Sequence, residues 1–188
     1  MKVADIEFDD DAFKAVVMSV SAKLGVEDAE ALTELRCRKH KISSVKGLEY
    51  FTNLKLLDLT RNNLEELDLS QNTALQELYV GNNRLEELDV TPLSELSHLE
   101  IFINDIGELD LSACSKLENL YANANDLTKL DLSANPQIVE IQVSDNNLSE
   151  IKLPENIKLD MLKAENNPLP EALKEELKAK VQTHKLKI

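Results

Sequence analysis

The chain has 188 residues, a formal charge of −14, 43% hydrophobic residues, only 4% aromatics, no Trp and four Gly. Such an excess of acid argues against nucleic acid, whose phosphates are neutralised by Lys and Arg, and against adsorption to anionic membranes. The scarcity of aromatics and glycine points to a thin, regular core of Leu, Ile, Val and Ala rather than to an enzyme folded around a deep pocket.

Taken from the start, Met1 to Glu7 lacks the apolar run of a secretory leader. With Met1 native, this predicts a cytoplasmic protein, or one exported by a signal-independent route. No stretch approaches the roughly 20 apolar residues of a membrane span, so membrane insertion is not expected. Residues 1–31 read as a helical cap. Phe13, Val16, Val17, Val20 and Leu24 share one helical face. Asp9 reads as the N-cap, Phe8 and Phe13 fit a hydrophobic staple, and Asp10 and Asp11 suit the helix dipole. The three Asp are consecutive rather than alternating, unlike a calcium loop. A second short helix is predicted over Glu27 to Leu32.

From residue 32 to residue 170 the sequence repeats. Leu54, Leu75, Leu96, Leu117, Ile138 and Leu159 recur every 21 residues, as do Leu57, Leu78, Leu99, Leu120, Ile141 and Leu162. Leu59, Val80, Ile101, Ala122, Val143 and Ala164 form a third column, and Leu64, Leu85, Ile106, Leu127, Leu148 and Leu169 another. Between them stands Asn62, Asn83, Asn104, Asn125, Asn146 and Asn167. A preceding turn, longer by one residue, carries Leu32, Leu35, Cys37, His40, Ile42 and Val45. His40 is read there as a turn residue in place of Asn.

Each coil follows L-x-x-L-x-L-x-x-N-x-L. The L-x-L part alternates with period two and predicts a short strand buried on one face. The Asn stands where the chain leaves the strand, and its amide can pair backbone groups that the turn exposes. One coil cannot bury its apolar edge alone, whereas a stack can. A second alternation, Leu67-Asp68-Leu69-Ser70 and its counterparts at Leu88, Leu109, Leu130 and Ile151, predicts a short strand on the back of each coil. Asp68, Asp89, Asp110 and Asp131 then point outward.

The phrase L-D-L-S-x-N-x-x-L, as in Leu67 to Leu75 and Leu130 to Ile138, resembles the internalin-like leucine-rich repeat proteins of bacteria, in their 21-residue subtype. The opening Phe8 to Phe13 and the segment Gly47 to Leu54 are similar to the same family. Pattern and resemblance together imply an α/β repeat fold: a right-handed solenoid of about seven coils, parallel strands on the concave side, short second strands on the back and helical caps at both ends. The resemblance implies no particular partner. His40, and Thr91-Pro92-Leu93-Ser94-Glu95 in place of the Ser-x-Asn phrase, depart from the pattern.

After Asn166-Asn167-Pro168-Leu169-Pro170, residues 171–188 read as the second cap. Pro170 suits a first helical turn, Glu171 to Gln182 reads as a helix facing inward through Leu173, Leu177 and Val181, and Leu186-Lys187-Ile188 can add a short strand. The whole chain, 1–188, is expected to form one domain.

Nothing here composes a catalytic centre. Coil spacing keeps His40, His98 and His184 too far apart for a shared metal or a triad, Cys37 lies in a core column, and Cys114 sits on a back turn, out of reach of Cys37. No phosphate loop, zinc-ligand set or nucleophile elbow is present, so no cofactor or metal is expected.

The residues between the inward positions face out from the concave sheet. One column reads Arg36, Asp58, Tyr79, Glu100, Tyr121, Gln142 and Lys163, and the next Arg38, Thr60, Gly81, Phe102, Asn123, Ser144 and Glu165. Flanking columns include His98 and Asn119 on one side, and Lys39, Arg61 and Ile103 on the other. Tyr79, Phe102, Ile103 and Tyr121 thus cluster in the middle coils, ringed by His98, Glu100, Asn119 and Asn123, with Arg36, Arg38, Asp58 and Arg61 toward the first coils. Aromatics among polar groups predict a binding hot spot for an unidentified protein partner. Cross-strand packing that stiffens the ladder is the competing account. The expected function is a monomeric, non-catalytic interaction scaffold. A structural or self-associating repeat protein is the alternative, with carbohydrate binding or catalysis less favoured.

Overall fold

In the computed structural model, which describes residues 1–181 and 185–188, the inward columns become strand centres. The strands are β1 (Glu34–Arg36), β2 (Leu56–Asp58), β3 (Glu77–Tyr79), β4 (His98–Glu100), β5 (Asn119–Tyr121), β7 (Glu140–Gln142) and β9 (Met161–Lys163). They lie side by side in parallel, and β10 (Leu186–Lys187) closes the far edge. Leu35, Leu57, Leu78, Leu99, Leu120, Ile141 and Leu162 are paired in sequence across the sheet. All seven are fully buried. A slip of one residue would turn each of them to solvent, which fixes the register.

The back of the coils is less regular than the alternation predicts. Among the described residues, a ladder forms there only between β6 (Lys129–Asp131) and β8 (Glu150–Lys152). Charge accounts for the difference. Asp131 is paired in register with Lys152, whose ammonium lies 3.7 Å from Asp131 and 3.2 Å from Glu150. At Asp68, Asp89 and Asp110 like charges face one another from coil to coil, which opposes close pairing. These carboxylates instead fold onto their own turns: Asp68 Oδ1 accepts from Ser70 N–H at 2.8 Å and Asp110 Oδ1 from Ser112 N–H at 2.9 Å.

The first cap is the helix α1 (Asp11–Leu24). Its N-cap is Asp10, not Asp9: Asp10 Oδ1 accepts from Phe13 N–H at 2.9 Å, while Oδ2 accepts from the Ser43 amide at 2.8 Å and its hydroxyl at 3.0 Å. Asp10 therefore caps the helix and holds it to the first coil. Burial pushes its pKa up, but the bonds from Ser43 and Phe13 prevail and hold the carboxyl below its ordinary value. Asp9 pairs with Lys46 at 3.0 Å instead. Phe13 and Val17 are fully buried and Phe8 meets Phe13 edge-on at 5.6 Å, but Leu24, expected on the inward face, is 59% exposed. The helix ends one residue later at Gly25, in the left-handed conformation.

The predicted second helix shrinks to a single 3-10 turn, Ala29–Ala31. There the amides of Val3 and Ala29 bond to the carbonyls of Glu27 and Met1, so the N-terminal segment pairs with the chain where the helix was expected. Gly47 faces this cap. Its φ is +100°, and a Cβ would stand 2.8 Å from Ile6 Cγ2 and 2.9 Å from the Phe8 ring, so glycine is required twice over.

At the other end, α2 spans Glu171–Lys180 with Pro170 at the N-cap. It stops two residues before Gln182, which lies outside the described residues. Leu177 and Val181 are buried, Leu173 is half-buried, and Val181 bridges to Leu159 of the last coil.

Candidate functional site

Two features of each coil place its outward side chains. Strand register aligns Arg36, Asp58, Tyr79, Glu100, Tyr121, Gln142 and Lys163 across the sheet. The chain then leaves the strand through one residue at positive φ: Lys39, Arg61, Asn82, Ile103, Ala124, Asp145 and Asn166, all between 54° and 63°.

The asparagine ladder makes that exit possible. Asn104 is typical: its Oδ1 accepts from Leu85 N–H at 3.0 Å, and its Nδ2 donates to the carbonyls of Val80 (3.1 Å) and Ile101 (3.0 Å). Each ladder Asn reaches into the coil before its own. Asn62 does the same for the first coil, accepting from His40 and Ile42 and donating to Cys37. His40 is exposed on the turn, and only its backbone N–H joins the ladder. It does not stand in for Asn, because no earlier coil needs closing.

A second ladder, missed in the sequence reading, runs along the back turns. Asn72 and Asn135 are fully buried and donate to Leu48 and Phe51, and to Leu111 and Cys114. The 21-residue column Asn72, Leu93, Cys114, Asn135 would have disclosed it. Cys114 takes a ladder place, its thiol donating to the Val90 carbonyl at 3.6 Å. Burial pushes the Cys37 thiol up to about 12 and that of Cys114 up to about 11, so both are poor nucleophiles. Among the described residues no three His, Cys, Asp or Glu side chains group as a metal site. His184 lies outside the described residues.

On the concave face the structure brings Tyr79, His98, Glu100, Phe102 and Tyr121 together. The His98 ring lies between Tyr79 (4.9 Å) and Tyr121 (5.3 Å), forming a tilted stack across β3, β4 and β5. Each polar end is satisfied. Tyr79 donates to Glu77 at 2.6 Å, Tyr121 donates to Glu140 at 2.7 Å, and His98 Nε2 is 3.1 Å from Glu100 Oε1. Burial, reinforced by the Glu140 bond, pushes the Tyr121 hydroxyl up to about 12, and Tyr79 is raised by burial and Glu77. The rings are half-buried rather than freely exposed.

Not all of the second outward column faces solvent. Thr60, Gly81 and Ser144 are buried, because the chain is already turning inward there. Phe102 lies across Gly81: a Cβ at Gly81 would fall 2.5 Å from the ring. Gly81→Ala should therefore swing Phe102 off its seat while leaving stability within about 1 kcal/mol, since the backbone there suits Ala. Ring-to-backbone NOEs between Phe102 and residue 81 check this; retention of the native pattern would contradict it.

Ile103 is different. It is 50% exposed and sits at φ 54°, a conformation that β-branched residues avoid. Of the remaining predicted residues, Asn119 and Asn123 are half-buried, and Asn123 Oδ1 accepts from Ser144 N–H at 3.0 Å. Arg36 pairs with Glu34 at 3.1 Å, Arg38 and Arg61 are exposed, and Asp58 Oδ1 accepts from Thr60 N–H at 2.9 Å. These four lie on the first two coils, with Asp58 in register beside Tyr79 at the edge of the ring stack.

Parallel strands in 21-residue register, joined by a ladder of Asn from Asn62 to Asn167, define a leucine-rich repeat protein. No family model matches the chain. Internalin J of Listeria monocytogenes serotype 4b (strain F2365) is 38% identical over 71 residues, 35% of this chain and 8% of that protein. The match thus spans under a tenth of the length of this curated relative. Among solved structures, internalin C2 of the same Listeria strain superposes with a TM-score of 0.69 at 18% identity, over 91% of this chain and 90% of that one. YopM of Yersinia enterocolitica WA-314 gives 0.65 at 30% identity, over 74% of this chain and 30% of that one. Within that class, the chain is similar to the internalins of Listeria, in sequence over these 71 residues and in fold over nearly its whole length. No described helix is long and apolar enough to cross a membrane.

Proposed function

We propose that the chain is a monomeric, non-catalytic interaction module, one leucine-rich repeat domain over 1–188, that binds a partner protein on its concave face. The footprint centres on Tyr79, His98, Glu100, Phe102, Ile103 and Tyr121, with Asn119 and Asn123 beside them and Arg36, Arg38, Asp58 and Arg61 extending toward the first coils. Open repeat stacks present this face as a continuous binding surface.

The observation that carries the reading is Ile103. Packing explains the ring stack, because its hydroxyls are satisfied within the chain. It does not explain a half-exposed Ile at a position where its backbone is strained by about 1–2 kcal/mol. Every coil has this left-handed exit, held elsewhere by Lys, Arg, Asn, Ala or Asp, so the fold asks for the conformation but not for an exposed, β-branched apolar side chain there. Ile103→Asn is accordingly expected to raise stability by about 1 kcal/mol, visible as a higher urea midpoint. A fall in stability would mean that Ile103 is held by packing, and would remove the argument.

The satisfied ring stack favours a second reading, a structural or self-associating repeat protein. Affinity capture with the native chain and a Tyr79→Ala/Phe102→Glu/Tyr121→Ala variant, beside the solution mass of both, separates the two. A partner lost by the variant and a monomeric mass support binding. A dimer dispersed by the variant supports self-association.

A further inference from the structure

We infer that the middle of the concave face is built to take an arginine-bearing, basic segment of a partner protein. This rests on the concave-face reading above and specifies its chemistry. Across β3, β4, β5 and β7 the outward columns from Glu77 to Asp145 contain no Lys or Arg, yet they contain Glu77, Glu100, Glu140 and Asp145. Among the described residues, none of the three glutamates is paired with a Lys or Arg side chain: Glu77 and Glu140 accept phenol hydroxyls, and Glu100 faces His98.

Glu100 holds the central place. Register sets it between Tyr79 and Tyr121, and its charge acts on both phenols. Neighbouring strands lie about 4.8 Å apart, so Tyr79 and Tyr121 stand one strand away on either side of Glu100, while the His98 ring stacks between the two phenol rings. A column of carboxylates beside a stack of rings suits a guanidinium, which is planar, stacks on rings and forks its hydrogen bonds to carboxylate oxygens. An ammonium can exploit the charge but not the fork or the stacking. An acidic partner is repelled.

The chain itself supplies the reporter. It has no Trp, and Tyr79 and Tyr121 are two of its three Tyr, so tyrosine emission reads the site directly. The probes are a synthetic peptide of alternating Arg and Gly and its Lys–Gly and Glu–Gly counterparts, titrated against the full chain. Expected are binding of the Arg peptide about five- to tenfold tighter than the Lys peptide, no binding of the Glu peptide, and weakening with salt. Glu100→Gln should weaken the Arg peptide about tenfold, whereas Glu87→Gln, on the exposed flank, should not. Equal binding of the Arg and Lys peptides, equal losses in both variants, or no binding at all would overturn the inference.

Capture with a Glu77→Gln/Glu100→Gln/Glu140→Gln variant, run beside the aromatic triple variant, separates the two levels. A partner lost only by the aromatic variant overturns the arginine inference and leaves the concave-face reading standing. A partner kept by both variants overturns both.

Discussion

Asn104→Ala is expected to destabilise the protein by about 3–5 kcal/mol. The side chain is 7% exposed in the middle of the stack, and its removal orphans three backbone groups at once: the Leu85 amide and the carbonyls of Val80 and Ile101. Each buried group left unpaired costs about 1–3 kcal/mol. Partial relaxation of the turn keeps the sum toward the lower end of that range. Asn167→Ala, at a half-buried position in the last coil, should cost less because water can reach its partners. Urea unfolding of the two variants tests the order. A loss below about 1 kcal/mol at Asn104 would mean that the ladder is dispensable and that core burial alone holds the coils.

Phe13→Ala should cost a similar amount, about 3–5 kcal/mol, by a different route. Phe13 is fully buried and, with Phe51, is one of the two largest fully buried side chains described. Truncation leaves a cavity between α1 and the first coil and removes the edge contact with Phe8. Solenoid stability is close to a sum of coil and interface contributions, so the loss should concentrate at the N-terminal end. Amide exchange should quicken across α1, β1 and β2 while β5 and β7 keep their protection. Uniform acceleration along the chain would show that the stack unfolds as one cooperative block.

The parts of the fold that were legible in the sequence are those fixed by periodicity. A 21-residue column must bury one face at every turn, so the register of seven strands follows from the positions of their leucines. What was missed depends on contacts between segments far apart in sequence. Among Asp9, Asp10 and Asp11 local rules do not choose an N-cap; Ser43, 33 residues away from Asp10, decides it. The back ladder was hidden because Leu93 interrupts its column and Cys114 replaces an Asn. Tyr79 and Tyr121 lie on strands and Phe102 just past one, but the stacking of the two Tyr through His98 depends on side-chain tilt, which alternation does not encode. The buried state of Thr60, Gly81 and Ser144 was missed because alternation was carried one residue too far, into a left-handed exit.

The direction of the asparagine ladder bears on how the protein is made. Each Asn donates within its own coil, but its other bonds complete the turn of the coil before it. On a ribosome, a newly emerged coil would therefore keep its turn only partly paired until about 20 further residues had followed and the next strand had docked. Closure then advances from the N-terminal cap with a lag of one coil, and each completed turn is locked by chain that did not yet exist when the turn was synthesised.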